Sequence, residues 1–383
     1  MALAKISFNR GRGGLGRVRA GSTHISSLVF YGASPLGWPT SGVKAIYSIT
    51  EAENAGITEA AFPVEHYHIS EFFRTAGNAE LWVGLFPVPG NGIYDFTELD
   101  AVYAESQGEV RQYGVFVTDD FATGLVNALH AQLLKFDQEA PAVGVLTADI
   151  SAVADLTTLE DQAGLNDKVY IDIAQSGKGR GADLFDIEDY TIGTTGATLG
   201  TIAAAAVSDG IDAVGQFNVA GNELDVIAFG NGELLSTKKS AFLDGLDDKC
   251  YGFLVKYKGT TGSYFSSSKT ASVAGDYDTL EKNRTIGEAI RLVRGALLPK
   301  LNSKVLLNAD GSLRETDIAS FQELGNAALD VLINNRDLSF GQVIIDPSQD
   351  ILGTDKLVIT IQLIPVGKAR TIEVNIGFTK QIS

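Results

Sequence analysis

Alternation and helical spacing divide the chain into elements before any composition is counted. Ser26–Tyr31 and Leu81–Phe86 are apolar runs of strand length, and Val115–Val117 is a shorter candidate. Phe121–Phe136 predicts a helix, because Leu125, Leu129, Leu133 and Phe136 fall along one face. Ala142–Leu146 then predicts a buried strand, Ile150–Ala163 a helix and Lys168–Ile173 another strand. This strand–helix–strand order predicts a three-layer α/β region with at least some parallel pairing. Ala197–Val207, rich in small residues, predicts a helix ending before Asp209-Gly210, and Tyr251–Tyr257 a return to strand.

The last third is patterned more sharply. Thr285-Ile286-Gly287-Glu288 fits a capping box at a helix start, and Ile286, Ala289, Ile290, Val293 and Leu297 follow at helical spacing before Pro299. A second helix is expected over Thr316–Asn334, with Ile318, Phe321, Leu324 and Leu332 in its buried stripe. Lys356–Ile364 predicts a strand stopped by Pro365 and Gly367. In the closing segment Ile372, Val374, Ile376 and Phe378 alternate with Thr371, Glu373, Asn375 and Thr379. The other end mirrors it: Ala4, Ile6 and Phe8 alternate with Lys5, Ser7 and Asn9, and Gly11, Gly13, Gly14 and Gly16 supply a flexible tether. A short tethered strand cannot bury its apolar side alone, so both terminal segments are expected to pair with a sheet. The fold class is therefore α/β in the middle, sandwich-like and mixed. Over the whole chain it is α+β, with a C-terminal α+β region and extended terminal strands. Expected boundaries are an arm over 1–22, a middle domain over 23–250 and a C-terminal domain over 251–383.

Charge changes the picture at one end. Residues 1–50 hold six basic residues and no acid, so the rest carries -23 of an overall -17. Residues 51–120 alone hold thirteen acids against Arg74 and Arg111. Strong acidity disfavours nucleic acid as the main partner, since phosphate binding needs clustered Lys and Arg. The basic arm is then read as self-directed, attracted to the acidic body of a neighbouring copy. No run of eighteen apolar residues is present, so no membrane insertion is expected. Met1–Ala20 lacks the apolar stretch of a secretory signal. The single Cys250 excludes a disulfide framework and a multi-cysteine metal site.

Several motifs invite chemistry, and each has a plainer reading. Gly11-Arg12-Gly13-Gly14-Leu15-Gly16 matches G-x-G-x-x-G, but Gly21 interrupts any following helix and the nearest acid is Glu51, so a hinge is expected. Gly177-Lys178-Gly179-Arg180-Gly181 lacks the upstream glycine of a P-loop and reads as a basic surface loop. His66 and His68 would share a face if extended, yet no third metal ligand accompanies them. Ser266 and Lys269 form S-x-x-K in a polar loop, and Asp119-Asp120 and Asp247-Asp248 sit beside turns as solvated pairs. No catalytic residue, metal ligand or cofactor is expected.

An ordered series at the C-terminal end carries a resemblance. Cys250–Ser268 is a strand and loop, followed by Asp276-Tyr277-Asp278 and Asn283-Arg284-Thr285-Ile286 leading a helix to Leu298. The helix Ile318–Ile333 comes next. Ile344-Ile345-Asp346 with Asp350 and Gly353 precedes Leu357-Val358-Ile359-Thr360-Ile361-Gln362-Leu363-Ile364-Pro365-Val366, and Thr371–Phe378 closes it. The series and the N-terminal arm resemble the contractile tail sheath family of phage tails, R-type bacteriocins and contractile injection systems. The resemblance implies a structural, non-enzymatic subunit that polymerises as a helical stack of rings around an inner tail tube protein. Baseplate and terminator proteins would be further partners, in a virion tail or contractile particle assembled in the bacterial cytoplasm. It implies strand exchange through Ala4, Lys5, Ile6, Ser7 and Phe8 and through Thr371, Ile372, Val374, Ile376 and Phe378. Gly11, Gly13, Gly14, Gly16, Pro365 and Gly367 are the expected hinges, and the variable middle lies outward. Arg291, Arg294, Lys300 and Lys304 are candidates for a tube contact, against a solvated basic face. The alternatives are an α/β enzyme or small-molecule-binding protein on the central region, or another shell or filament subunit.

Overall fold

The computed structural model describes residues 23–77, 79–370 and 372–374. The chain divides into two compact units, with the break between Leu298 and Pro299. Tyr251–Leu297 belongs with the first unit, so compactness changes well after residue 250.

A seven-stranded sheet organises the first unit. Its strands are β1 (Ser26–Tyr31), β2 (Val43–Ile46), β3 (Leu81–Phe86), β4 (Gln112–Asp120), β5 (Val143–Asp149), β6 (Val169–Asp172) and β7 (Tyr251–Gly252). Their spatial order is β7-β6-β5-β4-β1-β3-β2, parallel throughout except that β2 runs antiparallel to β3. The helices used below are α1 (Pro63–Ala76), α2 (Leu99–Glu105), α3 (Thr123–Leu134), α4 (Arg180–Glu188), α5 (Thr195–Ala204), α6 (Ser240–Asp248) and α7 (Leu280–Leu297). Strand alternation sorts the core into two clusters. Val29, Tyr31, Val115, Val117 and Leu146 pack with α2 and α3, while Leu28, Phe30, Phe116 and Val145 pack with α1 and α5. A parallel sheet needs both faces covered, and these helices cover them.

Small residues set the tightest helix contact. A Cβ at Gly196 or Gly200 of α5 would collide with the backbone of His68 or the hydroxyl of Thr75 on α1, so glycine allows the two axes to close. Nine of the ten α5 residues are buried, Thr195 to Ala203. Its threonines avoid burying unpaired hydroxyls: Thr195 Oγ1 donates to Thr147 Oγ1 on β5 at 2.7 Å, and Thr201 Oγ1 to the Ala197 carbonyl one turn back at 2.7 Å.

Three expected elements of the first unit come out differently. Ile150–Ala163 is not a helix; it holds only a 3₁₀ turn at Leu156–Thr158. The cause is local: Asp149, Asp155 and Asp161 each accept the backbone N–H two residues on, at 2.8, 2.9 and 2.9 Å. Such Asx turns compete with helical bonding. Thr285 does not start a helix, because α7 begins at Leu280, and Thr285 lies buried in its second turn. Tyr251–Tyr257 splits: Tyr251–Gly252 joins the main sheet, and Leu254–Val255 pairs with Tyr264–Phe265.

The second unit places a helix, α8 (Glu315–Asn334), on a hairpin of β8 (Leu338–Ile344) and β9 (Thr360–Pro365). The α8 stripe is Gly325, Ala328, Leu329 and Leu332, whereas Ile318, Phe321 and Leu324 are half-buried. A Cβ at Gly325 would stand 2.6 Å from Val343 Cγ2, so the helix seats directly on β8 there. The expected strand from Lys356 begins only at Thr360.

Candidate assembly surface

The place where an open α/β sheet ordinarily binds ligands is filled. That place is the crevice at the carboxyl ends of strands where the connection reverses direction, here at β1 between β3 and β4. Tyr94 and Phe96 lie over it, with Tyr31 and Tyr94 edge-on at 4.8 Å between ring centroids. Phe96 is fully buried in a left-handed backbone conformation, φ 57°. Tyr31 Oη donates to Glu98 Oε2 at 3.2 Å and fixes the loop across the strand ends.

The glycine-rich loop is occupied as well. Gly177–Gly181 leads into the N-terminus of α4, where an anion would gain from the exposed N–H groups. A carboxylate of the same chain takes that role: Glu223 Oε2 accepts from Gly181 N at 3.1 Å. Gly179 adopts φ 74°, and a Cβ there would stand 2.9 Å from Glu223 Oε2. Lys178 is exposed as a surface loop predicts, but Arg180 turns inward, donating to His66 Nδ1 at 2.9 Å and the Pro63 carbonyl at 3.0 Å.

The histidine pair lies on α1, not on a strand, so a two-residue spacing directs the rings apart. His66 Nε2 meets Glu53 Oε1 at 3.1 Å. His68 is fully buried beside Phe30 and Phe116, and burial pushes its pKa down to about 3. Lys269 of the S-x-x-K match pairs with Asp247, which is therefore not simply solvated. Asp119 and Asp120 are exposed. Asp172 is a buried carboxylate and accepts from Thr194 Oγ1 at 2.8 Å, Thr198 Oγ1 at 2.7 Å and Ala174 N at 3.0 Å. Burial raises its pKa to about 6 against those bonds. Among the described residues no group of three or more His, Cys, Asp or Glu could hold a metal, and no helix is long and apolar enough to cross a membrane.

The basic residues of α7 divide by role. Arg291 is mostly buried and donates to the carbonyls of Gly108 at 2.7 Å, Val110 at 3.1 Å and Pro141 at 3.0 Å. Burial first and neighbouring Arg111 second lower its pKa to about 10, which leaves it charged at neutral pH. Arg284, which the sequence places only in the series that carries the resemblance, does the same with Ala206 at 2.9 Å and Ala205 at 3.1 Å. Arg294 is more exposed and pairs with Glu139 at 3.2 Å. In the second unit Lys300 Nζ donates to Ser320 Oγ at 3.2 Å and Lys304 is exposed.

The second unit exposes what the first hides. Outside the α8-packed face of the hairpin, Phe340, Ile344 and Ile364 are 50%, 38% and 56% exposed. Gln342 and Gln362 face each other between them, Nε2 to Oε1 at 2.9 Å. A two-stranded ribbon is marginal alone and leaves unpaired backbone along its edges. Pro365 closes β9 and Gly367 stands in open space, the places assigned to hinges. Ile372 and Val374 lie outside any strand and are 79% and 76% exposed. The other arm and hinge residues, Ala4, Lys5, Ile6, Ser7, Phe8, Gly11, Gly13, Gly14, Gly16, Thr371, Ile376 and Phe378, lie outside the described residues.

Comparison with known proteins bears on this architecture. The family model described as "DUF2586, C-terminal domain" matches residues 276–383. No curated protein matches the sequence. Among solved structures, a chain of the anti-feeding prophage helical sheath in its contracted state is 14% identical, with a TM-score of 0.64 and 100% of both chains covered. The same figures hold for a chain of the anti-feeding prophage baseplate. The sheath tail protein of Listeria innocua is 9% identical, with a TM-score of 0.59 over 92% of this chain and 94% of that one. The chain thus has the fold of contractile sheath proteins.

Proposed function

We propose that the chain is a structural subunit of a contractile sheath, polymerising as stacked rings around an inner tube and contracting to drive that tube through a target envelope. One observation carries the reading: a sheath fold with a C-terminal hairpin whose edge and outer face are left uncovered among the described residues. Terminal strands over Ala4–Phe8 and Thr371–Phe378 link neighbouring copies by strand addition, in which backbone bonds supply affinity and alternate side chains specificity. Each such bond contributes roughly 0.5–1.5 kcal/mol net, and a lattice multiplies it over several contacts. Gly11–Gly16 and Pro365–Gly367 hinge while the bodies repack, so energy is stored in packing rather than in covalent chemistry. Arg294, Lys300 and Lys304 are the basic residues left for the tube, with Arg291 holding α7 in place. Baseplate and terminator proteins cap the polymer, and the particle assembles in the bacterial cytoplasm. Negative-stain electron microscopy of the purified full-length chain tests this. Hollow striated tubes are expected; monodisperse monomers or closed shells would refute it.

A further inference from the structure

Helix α7 lies across the amino ends of the central strands, with Arg291 bound before β4 and β5 and Asn283 donating to the Asp167 carbonyl before β6 at 2.8 Å. Its two flanks differ. On one, Arg284 and Glu288 join Thr23 and Arg111 around a hollow of about 10 Å³, which holds a single water at most. On the other, Ile286, Ile290, Leu134 and Tyr277 border a cleft of about 220 Å³, wide enough for side chains. Pro141, Asn283 and Gly287 border both, and a Cβ at Gly287 would stand 3.5 Å from Pro141, so the helix is seated there. The cleft is apolar and acidic together. Leu134 and Tyr277 are 46% and 44% exposed, and Ile286 and Ile290 are half-buried. Of the two acids bordering it, Asp137 is neutralised by Lys168 at 2.6 Å. Among the described residues Asp167 pairs only with His130, at 3.6 Å. Burial lowers the pKa of that ring and leaves it neutral at pH 7, so the charge of Asp167 is uncompensated. Exposed Asp276 adjoins Tyr277 and adds a second.

A segment that suits an apolar, acidic cleft is apolar and basic, and this chain carries one. Residues 1–22 lie outside the described residues, and the described chain begins at Thr23, on the other flank of α7. Arg12–Arg19 holds Arg12, Arg17 and Arg19 with apolar Leu15 and Val18, and no acid. Passing over a helix about 10 Å across takes roughly 15 Å, or about five residues at 3.3 Å each. Val18 stands five residues before Thr23, so it and Leu15 come within reach of the cleft. We propose that segment Arg12–Arg19 docks in this cleft on its own chain, with Leu15 and Val18 against Ile286 and Ile290 and the arginines towards Asp167. The arm is thereby parked on its own body until assembly draws it off. So short a tether holds the segment at millimolar effective concentration, which a second copy at micromolar concentration does not match. Docking is a property of the isolated subunit and stands apart from the sheath reading; release on assembly rests on it.

Photo-crosslinking of the full-length chain carrying Leu15→p-benzoylphenylalanine, at micromolar concentration before assembly, tests the docking. Mixing unlabelled and isotope-labelled chains separates crosslinks within one molecule from those between copies. Single-isotope crosslinks to peptides spanning Leu134–Pro141 or Tyr277–Ile290 are expected. Arg17→Glu combined with Arg19→Glu should lower their yield at least about fivefold, and assembly into tubes should do the same. Ile290→Lys should act likewise from the cleft side. The arm variant leaves every residue of the body unchanged, so the test survives if Ile290→Lys misfolds. Mixed-isotope crosslinks to the cleft overturn the own-chain occupant and assign the cleft to a second copy. Crosslinks to other surfaces, or a yield indifferent to charge reversal, overturn the cleft as the seat. Equal yield in tubes overturns the release step. A chain that crosslinks as expected yet forms no tubes overturns the sheath reading and leaves the docking standing.

Discussion

The two units of this chain treat unpaired surface in opposite ways. In the first, both faces of a seven-stranded sheet are covered, the crevice at the strand ends holds Tyr94 and Phe96, and the anion-binding helix terminus holds Glu223. In the second, a helix covers one face of a two-stranded ribbon and Phe340, Ile344 and Ile364 stand in solvent. A site that fills itself has nothing to recruit, whereas an incomplete sheet requires a partner. On the proposed function, position of incompleteness rather than a reactive group marks the working part of the molecule.

The largest expected effect comes from removing what completes the ribbon. Deleting residues 371–383 should leave a soluble monomer and abolish tubes in electron micrographs; tubes from that truncation would end the strand-exchange account. Next, the same chemical change should act differently in the two units. Phe72→Ala, at a fully buried site on α1, should cost about 3–5 kcal/mol in urea unfolding. Phe340→Ala should shift subunit stability by less than about 0.5 kcal/mol yet lower tube yield. Equal losses of stability in both would erase the contrast.

Acid should probe the first unit through His68. Its folded pKa lies below its unfolded value, so its contribution is present above about pH 6.5 and is lost as pH falls towards 3. Asp172 runs oppositely: with its folded pKa raised, its contribution is full below about pH 4 and is lost as pH rises through 6. Going from pH 6.5 to 4, His68→Gln should therefore lose roughly 3 kcal/mol less than the parent. Unchanged pH slopes in urea titrations would contradict that. The smallest effect is expected at the surface. Arg294→Glu should reduce co-assembly with tube protein only several-fold, because exposed charges are solvated and salt-screened.

The sequence displayed what repeats and concealed what is unique. Apolar runs marked β1 and β3 at their observed limits, and helical spacing marked α3 and α8 to within a few residues. Helix Ile150–Ala163 failed because three Asp residues six apart fold their own turns, a side-chain effect that hydrophobic spacing does not register. The start of α7 was missed because Thr285 and Glu288 have the spacing of a cap, while in the fold Glu288 faces Arg111 at 3.5 Å. The role of Glu223 was invisible, since it depends on a partner brought close only by tertiary structure.

Arginines along α7 have a mechanical consequence. This helix is the last element of the first unit, so tension passing along the backbone from the hairpin enters the body at its end. Arg284, Arg291 and Asn283 fasten it to carbonyls at Ala205, Ala206, Gly108, Val110, Pro141 and Asp167, on four separate stretches of chain. A pull on the helix must stretch several charge-assisted bonds together instead of peeling them one after another. On the proposed function, these bonds make the first unit respond to load as a single piece.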